Sequence, residues 1–475
     1  LTDSKLIELL RALSARQMSR LGEFLQSPFC NKSKDCLLLF LHLQKYAPSF
    51  EHPHISRETI VEKLDVGKPL DEKSLAHLSS RLLALVEKFL ALESFLADPW
   101  KQQLALLQEY HALALPKHYK AVRAAAEKSL ESFPYHNADR YREQYLFERL
   151  QYEHSDRNQR AFNERLQSAS AALDAWLVAE KLRDACEMLN YEAVLNIRYD
   201  IRFLDELLQW SAAPAFADMP VVQVYRHLVL LLQNPDEPGY FEKARALVTG
   251  ADRYFDPEEQ RALYTLLLNY CTRRINRFND IHFLQEHLEI NKLLLNNGLI
   301  FESSLLPPWK YTNIATAGLK TGQYDWTWRF IHDYRDRLPA GYAENVFRYN
   351  LAQYHYHLKE YDHAQKALLH VEISDVLLNV AVRSLLIKVY CETGQDDLLL
   401  SYLEATRLFL HRNRLMDTHL KKQMQKFVEC TARFIKTPPF DRERFQTLLD
   451  SLPPASEMMH REWLSAQLMQ KLKAK

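Results

Sequence analysis

Glycine is scarce in this chain, with nine in 475 residues, about 2% against a usual ~7%. That shortage disfavours folds that need glycine at turns, bulges and phosphate loops, which include most β-barrels and dinucleotide-binding α/β folds. Surplus charge is also missing. Lys plus Arg and Asp plus Glu each number 61, so no whole-molecule field draws the protein toward nucleic acid or an anionic membrane. The six cysteines contain no CxxC pair and read as free thiols of a reducing compartment, which makes a cytoplasmic location the expectation. Apolar runs such as 37–41 and 228–232 fall far short of the ~20 residues that span a bilayer. Glu8, Arg11 and Arg16 interrupt any signal-peptide core at the start.

What is present is helical periodicity, punctuated by proline and short polar clusters, over about three times the usual ~150 residues of one domain. The fold class expected is all-α. Ser14 with Gln17 forms a capping box for a helix reaching Gln26. Asp71 opens a long helix whose Leu75, Leu78, Leu82, Leu85, Phe89 and Leu92 share one stripe. The turn between them is read at 65–69. Four stretches follow from the punctuation: an N-terminal helical module at 1–97, irregular hairpins at 98–218, a repeat region at 219–404, and C-terminal capping helices at 405–475. In the second stretch Leu166, Leu173 and Leu177 recur at helical spacing and are expected to pack between helices.

Within the third stretch a unit repeats itself. Asn313-Ile314-Ala315 is followed by Gly322-Gln323-Tyr324-Asp325, Thr327 and Pro339. Asn350-Leu351-Ala352 is followed by Glu360-Tyr361-Asp362 and Ala364, and a third copy reads Leu386-Ile387, Tyr390 and Gly394-Gln395-Asp396-Asp397. Aligning Ala315, Ala352 and Ile387 gives steps of 37 and 35 residues. Small residues at 315 and 352 let a second helix approach the first, with Thr327 or Ala364 receiving it from the other side. Gly322 and Gly394 suit the left-handed end of a helix, and Pro339 is expected to stop the second helix. Over residues 305–405 these stretches resemble tetratricopeptide repeats, whose period is ~34 residues. The tryptophan usual in the first helix is replaced by Arg348 and Arg383 in two copies.

That resemblance implies a right-handed α–α superhelix of helix hairpins whose first helices line a concave groove. The groove positions are Trp309, Thr312, Thr316, Leu319 and Lys320 in one copy and Val346, Tyr349, Gln353, Tyr356 and His357 in the next. Ser384, Lys388, Cys391 and Glu392 correspond in the third. The function expected is a non-catalytic scaffold that binds a protein, as a peptide or a partner helix. Ordinary packing between repeats is the competing role for these side chains.

No catalytic constellation and no cofactor motif is found. Gly67-Lys68 is followed by Pro69, which lacks the amide and hydroxyl of a phosphate loop. His355, His357, His363 and His370 form the densest histidine group, and without a Cys or carboxylate at a recognised spacing no metal site is expected there. Residues 58–64 and the helix from Asp71, with Lys73, His77, Arg81 and Lys88, suggest an alternative: a DNA-binding regulator with a helix-turn-helix-like module and a repeat sensor. The connection is too long for that motif, so nucleic acid is not the expected partner. Phe24 to Lys32, together with Gly67-Lys68-Pro69 and the leucine-rich helix after it, resembles the opening of bacterial helical-repeat proteins of the Bacteroidota. No activity follows from that likeness.

Overall fold

The structure, a computed structural model, describes residues 3–64, 70–155, 162–195, 197–278, 280–371, 376–413 and 416–473. Among these residues there are 23 α-helices and no strand, so the fold is all-α. The turn read at 65–69, including Gly67-Lys68-Pro69, lies outside the described residues. No described helix is long and apolar enough to cross a membrane. The chain divides into two compact units, Leu1–Trp176 and Leu177–Lys475.

The first unit begins with α1 (Lys5–Ala12), α2 (Ala15–Gln26), α3 (Lys34–Gln44), α4 (Arg57–Lys63) and α5 (Glu72–Leu96). The capping box at α2 forms as the sequence predicts: the Gln17 amide donates to Ser14 Oγ at 3.2 Å, and the Ser14 amide to Gln17 Oε1 at 3.1 Å. Asp71 caps α5 by accepting from the Ser74 amide at 2.7 Å. Each cap satisfies amides that the helix leaves unpaired, worth about 1 kcal/mol. Leu75, Leu78, Leu82 and Phe89 bury the predicted stripe of α5 against Leu21, Leu39 and Phe40, whereas Leu92 is exposed. A second, smaller core joins α6 (Pro99–Ala112), α7 (Pro116–Glu131) and α8 (Ala138–Glu153) through Trp100, Leu107, Ala126 and Phe147.

Helix α9 (Glu164–Val194) corrects one expectation. Leu166, Leu173 and Leu177 are exposed, and the buried face carries Ala169, Ala172, Ala175 and Ala179 instead. Val178 and Leu182 are buried on that face as well, so burial follows the side of the helix and not the larger apolar side chains of the opposite stripe.

Beyond α9 the second unit holds α10 (Leu204–Trp210), α11 (Pro220–Gln233), α12 (Tyr240–Gly250), α13 (Pro257–Phe278) and α14 (Ile281–Asn296). Then come α15 (Pro308–Lys320), α16 (Tyr324–Asp333), α17 (Ala343–His357), α18 (Tyr361–Leu369), α19 (Val376–Glu392) and α20 (Asp396–Arg412). The last three are α21 (Thr418–Lys436), α22 (Arg442–Asp450) and α23 (Arg461–Lys473). Consecutive helices pair as α11/α12, α13/α14, α15/α16, α17/α18 and α19/α20, and α15 also packs on α17. Ala315, Ala352 and Ile387 are each 0% exposed, as are Thr327, Ala364 and Leu399 on the second helices.

The three turns inside α15/α16, α17/α18 and α19/α20 are built alike. Gly322, Lys359 and Gly394 have φ of 75°, 62° and 67°. The following amides of Gln323, Glu360 and Gln395 donate back to Gly318, His355 and Tyr390 carbonyls at 2.9, 2.9 and 3.0 Å. This is the Schellman closure, which satisfies the carbonyls a helix end would otherwise orphan. Pro339 does not stop α16 as expected. That helix ends at Asp333, a 3-10 turn follows at Arg335–Arg337, and Pro339 stands just before α17. Thr327 also meets a different partner: Gly318, where an added Cβ would lie 2.2 Å from Thr327 Oγ1.

Candidate functional site

Helices α15, α17 and α19 lie side by side, so residues one repeat apart face one another. Thr316 Oγ1 donates to Gln353 Oε1 at 3.4 Å, and Asn350 Nδ2 to Thr312 Oγ1 at 3.1 Å. Trp309 is 61% exposed and Lys320 is also exposed. Leu319, Val346 and Ser384 are buried, Ser384 returning its hydroxyl to the Val380 carbonyl at 2.8 Å. Tyr349 is half-buried against the core, and burial pushes its phenol up. The predicted positions therefore divide into an open stretch on α15 and a packed stretch on α17 and α19.

The packed stretch is a polar cluster completed by the C-terminal segment. Glu392 accepts from the phenols of Tyr356 and Tyr361 and, at 2.6 Å, from the indole N–H of Trp463. Three donors converge on one half-buried carboxylate and fix its orientation. One turn earlier on α19, Lys388 Nζ donates to His460 Nδ1 at 2.9 Å and lies 5.8 Å from the Trp463 ring centroid. Burial, followed by the charge of Lys320, pushes the Lys388 ammonium down to about 8, against the pull of Glu392. Burial also lowers His357 and His460, with Lys388 and Lys320 adding to the effect on each. The Nε2 of His460 is buried and has no hydrogen-bond partner among the described residues. Burial pushes the half-buried thiol of Cys391 up to about 12, which leaves it a poor nucleophile.

Sequence reasoning places Lys388, Tyr356 and His357 together but misses Tyr361, His460 and Trp463. Lys388 and His460 stand 72 positions apart, a separation that no local pattern reports. The four clustered histidines do not act as a group. His357 belongs to the Lys388 cluster, His370 is exposed at the end of α18, and His355 and His363 stack with centroids 5.2 Å apart. Glu360 joins that stacked pair and supplies the carboxylate that spacing does not reveal.

No protein-family model, curated protein or solved structure matches this chain.

Proposed function

We propose that residues 305–405 form a tetratricopeptide-like array within a right-handed superhelix of hairpins, and that the protein is a non-catalytic interaction scaffold. The observation that carries this reading is the trio of Schellman turns at Gly322, Lys359 and Gly394, 37 and 35 residues apart. Identical turns at a regular interval set successive hairpins in the same orientation, so their first helices make one continuous wall. Thr316 and Gln353, at equivalent positions and hydrogen-bonded to each other, support that alignment.

The open part of the wall is the place for a peptide or a partner helix. Trp309 offers a large exposed ring, with Lys310 Nζ 5.3 Å from its centroid, and Lys320 offers a charge at the other end of α15. Exposed tryptophan at such a surface is hot-spot material. The test is selection from a displayed peptide library on the full chain, followed by titration of the selected peptides against the double variant Trp309→Ala/Lys320→Ala. The expected result is an affinity loss of about tenfold or more without a fall in the thermal midpoint. Failure to enrich any sequence, or equal binding by the variant, removes the reading.

A further inference from the structure

The geometry points to a transition-metal site at the α17/α18 turn, with His355, Glu360 and His363 as ligands for a zinc-class divalent ion. The backbone builds the site. Lys359 in the left-handed conformation reverses the chain, and the Glu360 amide donates to the His355 carbonyl at 2.9 Å. That closure brings the Glu360 carboxylate to His355, with Oε2 2.7 Å from Nδ1. His363 follows on the first turn of α18, its ring inclined 29° to that of His355. One donor atom from each of the three residues lies within 4.8 Å of the other two. A metal ion bound at ~2.0–2.2 Å from each ligand draws such atoms together by side-chain rotation.

Donor chemistry selects the class of ion. Two imidazoles and one carboxylate suit Zn²⁺, Ni²⁺ or Cu²⁺, whereas Mg²⁺ and Ca²⁺ prefer all-oxygen sets. The ligands come from both helices of a hairpin whose turn is fixed by its own hydrogen bonds, so little order has to be created on binding. His355 and Glu360 also line a cleft of about 470 Å³ with Asp325, Trp328, Arg329 and Tyr354. Three protein ligands leave a tetrahedral ion one position, and the cleft gives water or a small ligand access to it. Trp328 stands edge-on to His355 at 6.2 Å between centroids and packs on Tyr354 at 4.9 Å, giving the site an aromatic wall.

Calorimetric titration of the full chain with Zn²⁺ near neutral pH tests the assignment, repeated on His363→Gln, Glu360→Gln and, as a control, His370→Ala. One ion per chain is expected at micromolar affinity, weakened roughly tenfold or more by His363→Gln and by Glu360→Gln and unchanged by His370→Ala. Co²⁺ should give visible bands without the near-ultraviolet charge transfer of a cobalt–thiolate, which separates this site from the cysteines. The metal-free thermal midpoint of each variant should equal that of the parent. Binding that is absent at micromolar Zn²⁺, indifferent to His363→Gln, or accompanied by thiolate charge transfer overturns the proposal.

Discussion

Trp463 donates its indole N–H to Glu392 Oε1 at 2.6 Å across 71 positions of chain. Through this bond the last helix is held to α19, while Leu464 and Leu468 on the same helix are fully buried. The carboxylate is thus a junction for α17, α18, α19 and α23. Replacing Trp463 with Phe keeps most of the ring and removes the donor. A hydrogen bond to a charged group is worth about 1.5–3 kcal/mol, so urea unfolding should register a loss of that order. Combined with Tyr361→Phe, the two losses should be non-additive, because both donors serve one carboxylate. Additive or negligible effects would mean that the indole bond does not hold the C-terminal helix in place.

Gly318 decides how closely α15 and α16 can pack. An added Cβ would sit 2.2 Å from Thr327 Oγ1, and that hydroxyl is already committed to the Gln323 carbonyl at 2.8 Å. Helix propensity alone favours alanine over glycine by about 1 kcal/mol. The steric effect has the opposite sign, and overpacking usually costs about 1–3 kcal/mol. Gly318→Ala should therefore lower the thermal midpoint, and adding Thr327→Ala should recover part of it. A midpoint raised by Gly318→Ala alone would refute the close approach.

Lys359 holds a backbone conformation that glycine occupies at the two equivalent turns. A residue with a Cβ pays about 1–2 kcal/mol for the left-handed region. Glycine also enlarges the freedom of the unfolded chain, which offsets part of the gain. Lys359→Gly should stabilise the protein by up to about 1 kcal/mol in denaturant unfolding, whereas Gly322→Ala should destabilise it by a similar amount. Opposite signs at these two positions are the diagnostic outcome.

Features set by near neighbours in the chain were legible in advance. The Ser14–Gln17 box, the Asp71 cap and the glycine-ended turns at 322 and 394 rest on residues within one helical turn of each other. Lys359 escaped notice because the left-handed state belongs to the backbone and its side chain carries no sign of it. The His355–Glu360–His363 cluster was missed because the spacing crosses a turn, so the arithmetic of a single helix face does not apply. In α9, periodicity picked out the leucines at 166, 173 and 177, whereas burial falls on the face of Ala169, Ala172, Ala175 and Ala179, whose small side chains carry a weaker apolar signal in the sequence. The Glu392 and Lys388 clusters depend on partners some 70 positions away, and no local pattern encodes them.

Lys388 gives the molecule a pH dependence whose sign follows from its surroundings. Its ammonium is pushed down from an ordinary 10.5 to about 8, by burial first and by Lys320 second. Between those values the unfolded chain holds a proton that the folded chain has released. Stability from this group therefore rises with pH across that window. Below about 8 both states are protonated, and the folded state carries the full cost of a buried charge. Relative to Lys388→Met, which has no charge to bury, the parent should gain up to about 3 kcal/mol between neutral pH and pH ~10. The acid side has its own contribution. His460 and His357 are both lowered, so as pH falls below 6.5 the unfolded imidazoles take protons that the folded ones refuse, and stability declines. Because the Lys388 charge helps to lower both histidines, Lys388→Met should soften that acid decline while removing the alkaline rise. Paired urea titrations of parent and variant across this range measure both slopes. A constant gap from neutral to alkaline pH would place the Lys388 ammonium in solvent and dissolve the cluster built on it.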